Sequence, residues 1–430
     1  MADTPNTTTT LNAAILDVRG DIEKAVPVQS KFQREYGIDT TKMVGRKALV
    51  PVVLTNSHGI TRSKANNGAF VLGDAKPMVI GEAQIEPAQL VAKETVDYES
   101  VFRMDGGKPK AHVDGVKLVL KGMVDSLSKE VEMDLLYGQA SVGYGTVNAA
   151  TSSSTSFVIS AATWSGYWYG KTGSTVQILD AAFAADEDVN EVVTAIDPDT
   201  RTITVTNAQT LDAGDLVVPT AMGTSATVTV TYHATPSSVV YQNMAGAYKI
   251  ITNTGTLFNI SASTYADLWK GSTVTVSGDP TMGKLMQGVS KAAVAGCNVG
   301  LIAWVSPKAY ERLNSDFAAL RRLDNGYRPS KAESGTESLV FYGQTGRLRV
   351  EPHPYVMDGH AFVMPDGESN LVKRIASTDI TFKRPGASSE DDMAVESSGA
   401  AGFELRAYTG QQLFCAKPAW CALVTGFTYS

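Results

Sequence analysis

The chain has 430 residues, enough for two or three structural units rather than one simple domain. Its 37 Lys and Arg stand against 44 Asp and Glu, a formal net charge of −7, without the basic excess of an electrostatic nucleic-acid binder. Three cysteines (Cys297, Cys415, Cys421) are too few for a disulfide framework and fit a reducing cytoplasm; with no basic-then-apolar leader and no apolar run of about eighteen residues, neither secretion nor a membrane span is expected.

From the first residue, "MADTPNTTTT" reads as a solvated end. Leu11, Ile15, Val18, Ile22 and Val26 then recur at helical spacing, and Pro27 kinks or ends that piece. "RKALVPVVLTN" (46–56) is extended and β-rich. The next stretch, 57–77, carries three glycines, the pair Asn66-Asn67 and the bases Arg62, Lys64 and Lys76, with no helical period and too few large apolar residues for a core. After it, Glu82, Gln84 and Glu86 alternate with Ala83 and Ile85, the two-residue period of a strand. Two long strands around an open polar loop describe an arm projecting from a body. A compact monomer has little use for one.

The strongest helical pattern spans 109–137. Val116, Leu120, Met123, Leu127, Val131 and Leu135 form one stripe, with Lys117, Lys121, Asp125 and Ser128 on the other faces. At ~1.5 Å per residue the helix is roughly 40 Å long, a spine for an elongated domain. Composition changes from about 141 to 236, where Ser/Thr/Gly-rich ends bracket the short strands "TVQILD", "NEVVTAI", "RTITVT" and "DLVVP". That pattern predicts a small all-β barrel or sandwich set into a mixed α+β domain, a barrel being favoured because it hides its edges. Within it, Gly170-Lys171-Thr172 imitates a phosphate loop but follows Gly166 one residue too closely. Bulky Tyr167-Trp168-Tyr169 fills the gap, and a strand follows where a helix is required. The motif is accidental.

Past 237 mixed character returns. Asp279 as N-cap, Pro280 at the first helical position and Gly296 as stop predict a helix over 280–295. "VGLIAWV" (299–305) reads as a buried strand, and Ser306 then caps a helix running from Pro307 to about Leu320. "EPHPYVMDGH" (351–360) offers Glu351, His353, Asp358 and His360 as metal ligands, but Asp358-Gly359 predicts a hairpin turn between "RLRVEPHPYVM" and "HAFVM". In that hairpin the imidazoles stand roughly 13 Å apart, too far for one ion. No nucleophile elbow, Cys-x-x-Cys pair or His-Glu-x-x-His helix occurs, so neither cofactor nor metal nor enzymatic activity is expected. "LRRLDNGYRPSK" (320–331) gathers Arg321, Arg322, Arg328 and Lys331, a basic loop suited to subunit contact or to nucleic acid.

Four runs carry a family likeness: "GTLFNISASTYADLWKG" (255–271), the stretch from "LIAWVSPKAYERLNSDFAALRRLDNGYRPSK" to "HAFVMP" (301–365), "TDITFKRPG" (378–386) and "GFELRAYTGQQLFCAKPAW" (402–420). Together with the loop pair and long helix of 46–137, the sequence resembles major capsid proteins of tailed bacteriophages. The likeness covers most of the chain except 141–236.

That resemblance implies the Hong Kong 97-type fold. It assigns 1–45 to an N-terminal arm, 46–104 to an extended loop with its strands and 105–140 to the spine helix of a peripheral domain. The inserted β-barrel takes 141–236, and the chain returns to the peripheral domain over 237–279. Residues 280–365 would be mostly axial domain, and 366–430 the peripheral sheet and C-terminus. The function implied is self-assembly, through pentameric and hexameric capsomers, into an icosahedral shell around double-stranded DNA held without sequence-specific contacts. The barrel would sit on the shell exterior. Portal and scaffolding proteins are the implied partners, with a decoration protein as a further one, and assembly takes place in the host cytoplasm before the subunit resides in the virion. Ile60, Arg62, Lys64, Phe70 and Leu72 of the extended loop would touch neighbouring subunits. Some relatives join a loop lysine to a neighbour's asparagine; Lys64 and Lys76 lie in the loop, but no matching motif accompanies them. Two rival readings are an encapsulin-like bacterial compartment shell and a β-rich phage surface or tail protein.

Overall fold

The computed structural model describes residues 30–64, 68–98, 109–180, 186–220, 223–225, 239–241, 243–315, 339–343, 346–382, 394–396 and 401–429. The helix expected over 11–26 lies outside them. The described chain begins with a short helix α1 (Lys31–Glu35) and strand β1 (Ile38–Asp39). The expected arm follows as an antiparallel pair, β2 (Lys47–Thr55) and β3 (Val79–Ile85), and the chain continues into β4 (Ala88–Asp97). Next comes α2 (Pro109–Tyr137), whose 29 residues span about 44 Å.

The expected stripe of α2 faces the protein: Met123, Leu127, Val131 and Leu135 are buried, and Lys121 is exposed. Its middle, through Met123 and Leu127, packs on Val96, Leu405 and Ala407. Beyond residue 130 the one-sided pattern ends, because every residue from Val131 to Gly138 is buried. Two charged side chains, Glu132 and Asp134, therefore enter the core with the helix.

The inserted region holds β5 (Thr151–Val158), β6 (Thr175–Leu179), β7 (Asp186–Asp197), β8 (Thr202–Leu211) and β9 (Leu216–Pro219), hydrogen-bonded in the order β9-β6-β7-β8-β5. β5 occupies the Ser/Thr-rich opening that reads as a boundary in the sequence. Residues 144–148 bond both outer strands. Val147 N–H donates to Asp215 O at 2.8 Å on the β9 side, and Asn148 N–H donates to Val158 O at 2.8 Å on the β5 side. This region shares its core with the α+β layer. Phe157, Ile178 and Val205 belong to the same apolar cluster as Leu135, Trp304 and Met357.

After α3 (Ala247–Thr252) and β10 (Ser272–Thr275) comes α4 (Met282–Val294). Its cap is Thr281, whose hydroxyl accepts from Lys284 N–H, not Asp279 as expected; Asp279 instead accepts at its carbonyl from Lys284 Nζ. Gly296 stops the helix at φ +86°, as its position suggested. Strand β11 (Leu301–Val305) is buried throughout, and Ser306 Oγ accepts from Ala309 N–H to cap α5 (Pro307–Ser315).

The hairpin expected around Asp358-Gly359 does not form. β12 (Leu339–Gly343), β13 (Gly346–Pro352) and β14 (His360–Pro365) are all present, but β11 lies between β13 and β14, parallel to the first and antiparallel to the second. The reason is burial: all six residues of β14 are buried, and it exchanges bonds on both sides, with β11 and with β17 (Ala422–Thr425). The six-stranded sheet runs β10-β17-β14-β11-β13-β12. The other large sheet is built on β15 (Val372–Thr381) and β16 (Gly402–Cys415), with β4 antiparallel along ten residues of β16 and β1 parallel to β15. The last sixty residues thus feed both sheets, and the crossing point is the connection 416–420.

Candidate assembly surface

The β2–β3 ladder has two unlike faces. Ala48, Leu54, Ala83 and Ile85 turn into a small core with Ile260, Trp269 and Phe414. This root is further tied by Gln84 N–H to Phe258 O at 3.0 Å and by Arg46 and Lys47 to Glu86 at 3.2 and 2.9 Å. Gly81 lets the strands pack closely here: a Cβ on it would stand 2.5 Å from Leu54 Cδ1, which would have to shift. On the opposite face Leu49, Pro51 and Val53 are exposed, as is Ile80 across from Val53. Beyond Ala48, β2 has β3 as its only described partner strand, so Pro51 sits in an edge strand, where a missing N–H is tolerated.

Past Thr55 and Val79 the two legs of the loop run outward with little internal bonding. His58 N–H donates to Lys76 O at 3.2 Å, and Gly73 N–H to Thr61 Oγ1 at 2.8 Å. Along these legs Ile60 is 76% exposed, Phe70 46%, Val71 91% and Leu72 76%, with Arg62 and Lys64 also exposed. Of the fifteen large apolar residues exposed among the described residues, nine (Leu49, Val53, Ile60, Phe70, Val71, Leu72, Met78, Val79, Ile80) belong to this one arm. Isolated exposed apolar residues are ordinary; here nine fall within one strand pair and its connecting loop. Burying any one of Ile60, Val71 or Leu72 against a partner is worth about 1.5–3 kcal/mol.

A buried hydrogen-bonded network holds the N-terminal segment to α2. His353 Nδ1 accepts from Tyr355 N–H at 3.2 Å, so the ring proton resides on Nε2, which donates to Glu132 Oε1 at 2.9 Å. Glu132 also accepts from the backbone N–H of Phe32 at 2.7 Å and of Gln33 at 3.1 Å, the unpaired donors at the start of α1. The carbonyls of Gln33 and Tyr36 are taken by the Arg374 guanidinium, at 2.9 and 2.8 Å. Residues 30–36 are therefore clamped from both ends.

Two residues further along α2, Asp134 accepts from Tyr144 OH and from Asn243 Nδ2 (the latter at 3.0 Å), and burial pushes its carboxyl up to about 7. Tyr137 OH accepts from Met357 N–H at 3.0 Å and donates to His360 Nδ1 at 3.2 Å, while burial pushes His360 down to about 4. The two histidines proposed and rejected as metal ligands are thus core residues bound to different positions of the spine, and no cluster of three or more metal-ligating side chains occurs among the described residues. The Gly170-Lys171-Thr172 turn is occupied likewise. Tyr167 and Trp168 fill the core, Lys171 pairs with Glu130, and Gly170 has φ +74°.

Ile60, Arg62, Lys64, Phe70 and Leu72 all lie exposed along the loop between β2 and β3, whereas the basic loop with Arg321, Arg322 and Arg328 lies outside the described residues. Glu132, Asp134 and Arg374 carry no signal in the sequence, since each sits among residues of ordinary helical or strand polarity.

No protein-family model matches this chain, and neither does any curated protein. Solved structures that it resembles include a chain of the cyanophage A-1(L) capsid asymmetric unit, at 12% identity over 91% of this chain and 90% of that one, with a TM-score of 0.46. The capsid of an empty GTA particle matches at 8% identity over 100% of both chains, TM-score 0.49, and Mycobacterium phage Adephagia at 12% over 99% and 98%, TM-score 0.42. Likenesses at this level carry no argument, so the functional reading rests on the arm, the spine and the sheets themselves.

Proposed function

We propose that the chain is the major capsid protein of a tailed bacteriophage, with a Hong Kong 97-type fold carrying an inserted β-barrel. The observation that carries this reading is the arm 47–85, which exposes an apolar face and tip on a well-packed root. A subunit of a closed shell needs such an element, because each copy must hold several neighbours through many modest, repeated contacts. The 29-residue α2 serves as the spine, the β4-β16-β15 sheet as the peripheral domain, and the six-stranded sheet as the axial domain. Strands β5 to β9, joined at both edges by residues 144–148, form the inserted barrel.

The work of this protein is structural. It associates with itself in pentamers and hexamers, with portal and scaffolding proteins as further partners, and encloses DNA without reading its sequence. A net charge of −7 suits that role, since a strongly attractive lining would hold phosphates and impede DNA entry. Negative-stain microscopy of the protein co-expressed with scaffolding factors tests the reading: closed shells or capsomer rings are expected. A stable monomer by sedimentation at high concentration, with those factors supplied, contradicts it.

A further inference from the structure

Cys415 ends β16 in one sheet, and Cys421 immediately precedes β17 in the other. Both are free and fully buried, and their Sγ atoms are 3.7 Å apart, in direct contact. Forming a bond of about 2.05 Å asks each sulfur to move by less than an ångström, within the reach of modest side-chain rotation. We propose that this pair is an oxidisable dithiol, whose disulfide staples the two sheets at their crossing point once the protein leaves a reducing compartment.

The co-reactant is a low-molecular-weight disulfide such as glutathione disulfide. One cysteine thiolate attacks it, expelling one glutathione thiolate and leaving a mixed disulfide on the protein. The second cysteine attacks that protein sulfur and expels the second glutathione. Two protein thiols lose two electrons and two protons, and one glutathione disulfide becomes two glutathiones.

Access is governed by the connection 416–420, in which Lys417 is the exposed residue. Trp420 pins this connection: Lys417 Nζ lies 3.8 Å from the centre of its ring, and its Nε1 donates to Ala295 O at 3.0 Å. The neighbouring Cys415 thiol, together with burial, raises the Cys421 thiol well above its ordinary range. Both features make the closed pair slow to react, so it persists as dithiol where glutathione is reduced. Cys297 is buried in the neighbouring apolar cluster with Ala419 and Trp420 and is left as the unpaired thiol.

Assembled protein is incubated with glutathione disulfide at temperatures up to just below melting, denatured, alkylated without reduction, and mapped by peptide mass spectrometry. The expected result is a change from three alkylated cysteines to one, with the 415 and 421 peptides linked and two hydrogens lighter. Trp420→Phe, which removes the bond to Ala295, should reach that state several-fold faster. Cys297→Ala should leave it unchanged. Persistence of three alkylatable cysteines at every temperature, or a bond that includes Cys297, overturns the proposal. The wild-type peptide map decides the question even if a variant fails to fold.

Discussion

Replacing Glu132 by Ala removes the acceptor for three donors at once: Phe32 N–H, Gln33 N–H and His353 Nε2–H. Each buried donor left without a partner costs about 1–3 kcal/mol. The two amides start a helix and can recruit water once the carboxylate is gone, so the low end applies to them. The His353 ring is fully buried and bears the larger share. The sum is about 3–5 kcal/mol, a substantial part of the ~5–15 kcal/mol that holds a typical domain. Thermal melting followed by circular dichroism should show a clear drop in Tm. Because α1 loses its hold on the spine, trypsin should also cut at Lys31 and Arg34 faster than in the parent. Glu132→Gln keeps one accepting oxygen and should fall between the two. A Glu132→Ala protein with parental melting and parental tryptic rates would refute the clamp.

Asp134 and His360 make opposite contributions to stability against pH. Asp134 rises from 3.8 to about 7 on folding, so its stabilising contribution is complete below 3.8 and is lost as pH climbs to about 7, roughly 4 kcal/mol in all. His360 falls from 6.5 to about 4, so its contribution is present above 6.5 and lost as pH falls to about 4, roughly 3 kcal/mol. The two slopes cancel across the shared window. Asp134→Asn exposes the histidine slope, and the Tm of the variant minus that of the parent should rise from pH 4 to pH 7; a constant value would sink the assignment. Gly81→Val drives its Cβ into Leu54 and should cost about 1–3 kcal/mol through overpacking, lowering both Tm and shell yield, while Gly81→Ala is milder. Parental melting and sedimentation of the valine variant would show that the root of the arm is not packed as described.

The strands β2 and β3 and the helix α2 were legible because each has a clean period, two for the strands and 3.6 for the helix up to residue 130. Beyond it the helix is buried on every side, and Glu132 and Asp134 occupy positions that read as polar faces. Periodicity cannot tell a solvated carboxylate from one that is bonded in the core. The Asp358-Gly359 hairpin failed for a related reason. β13 and β14 are flanked by turn residues that favour local pairing, but β14 is buried along its whole length and takes partners distant in sequence, β11 and β17. A local turn signal fixes direction reversal, not which strand inserts beside it. The cap of α4 moved by two residues because Thr281 and Asp279 are both competent caps, and the one whose hydroxyl reaches Lys284 N–H wins. β5 escaped notice because its serines and threonines face solvent over much of its length, leaving Phe157 as its buried apolar side chain.

The central claim is that the tip of the arm serves contacts between subunits and contributes little to the fold. Deleting residues 60–74 and joining the legs by a short Gly-Ser turn removes Ile60, Arg62, Lys64, Phe70, Val71 and Leu72 while leaving the packed root intact. Electron microscopy of this variant, co-expressed with scaffolding factors and checked by circular dichroism, is the most direct test. Parental spectra and melting with shells absent or sparse are the predicted result. Shells of parental number and form from the shortened protein would contradict the claim.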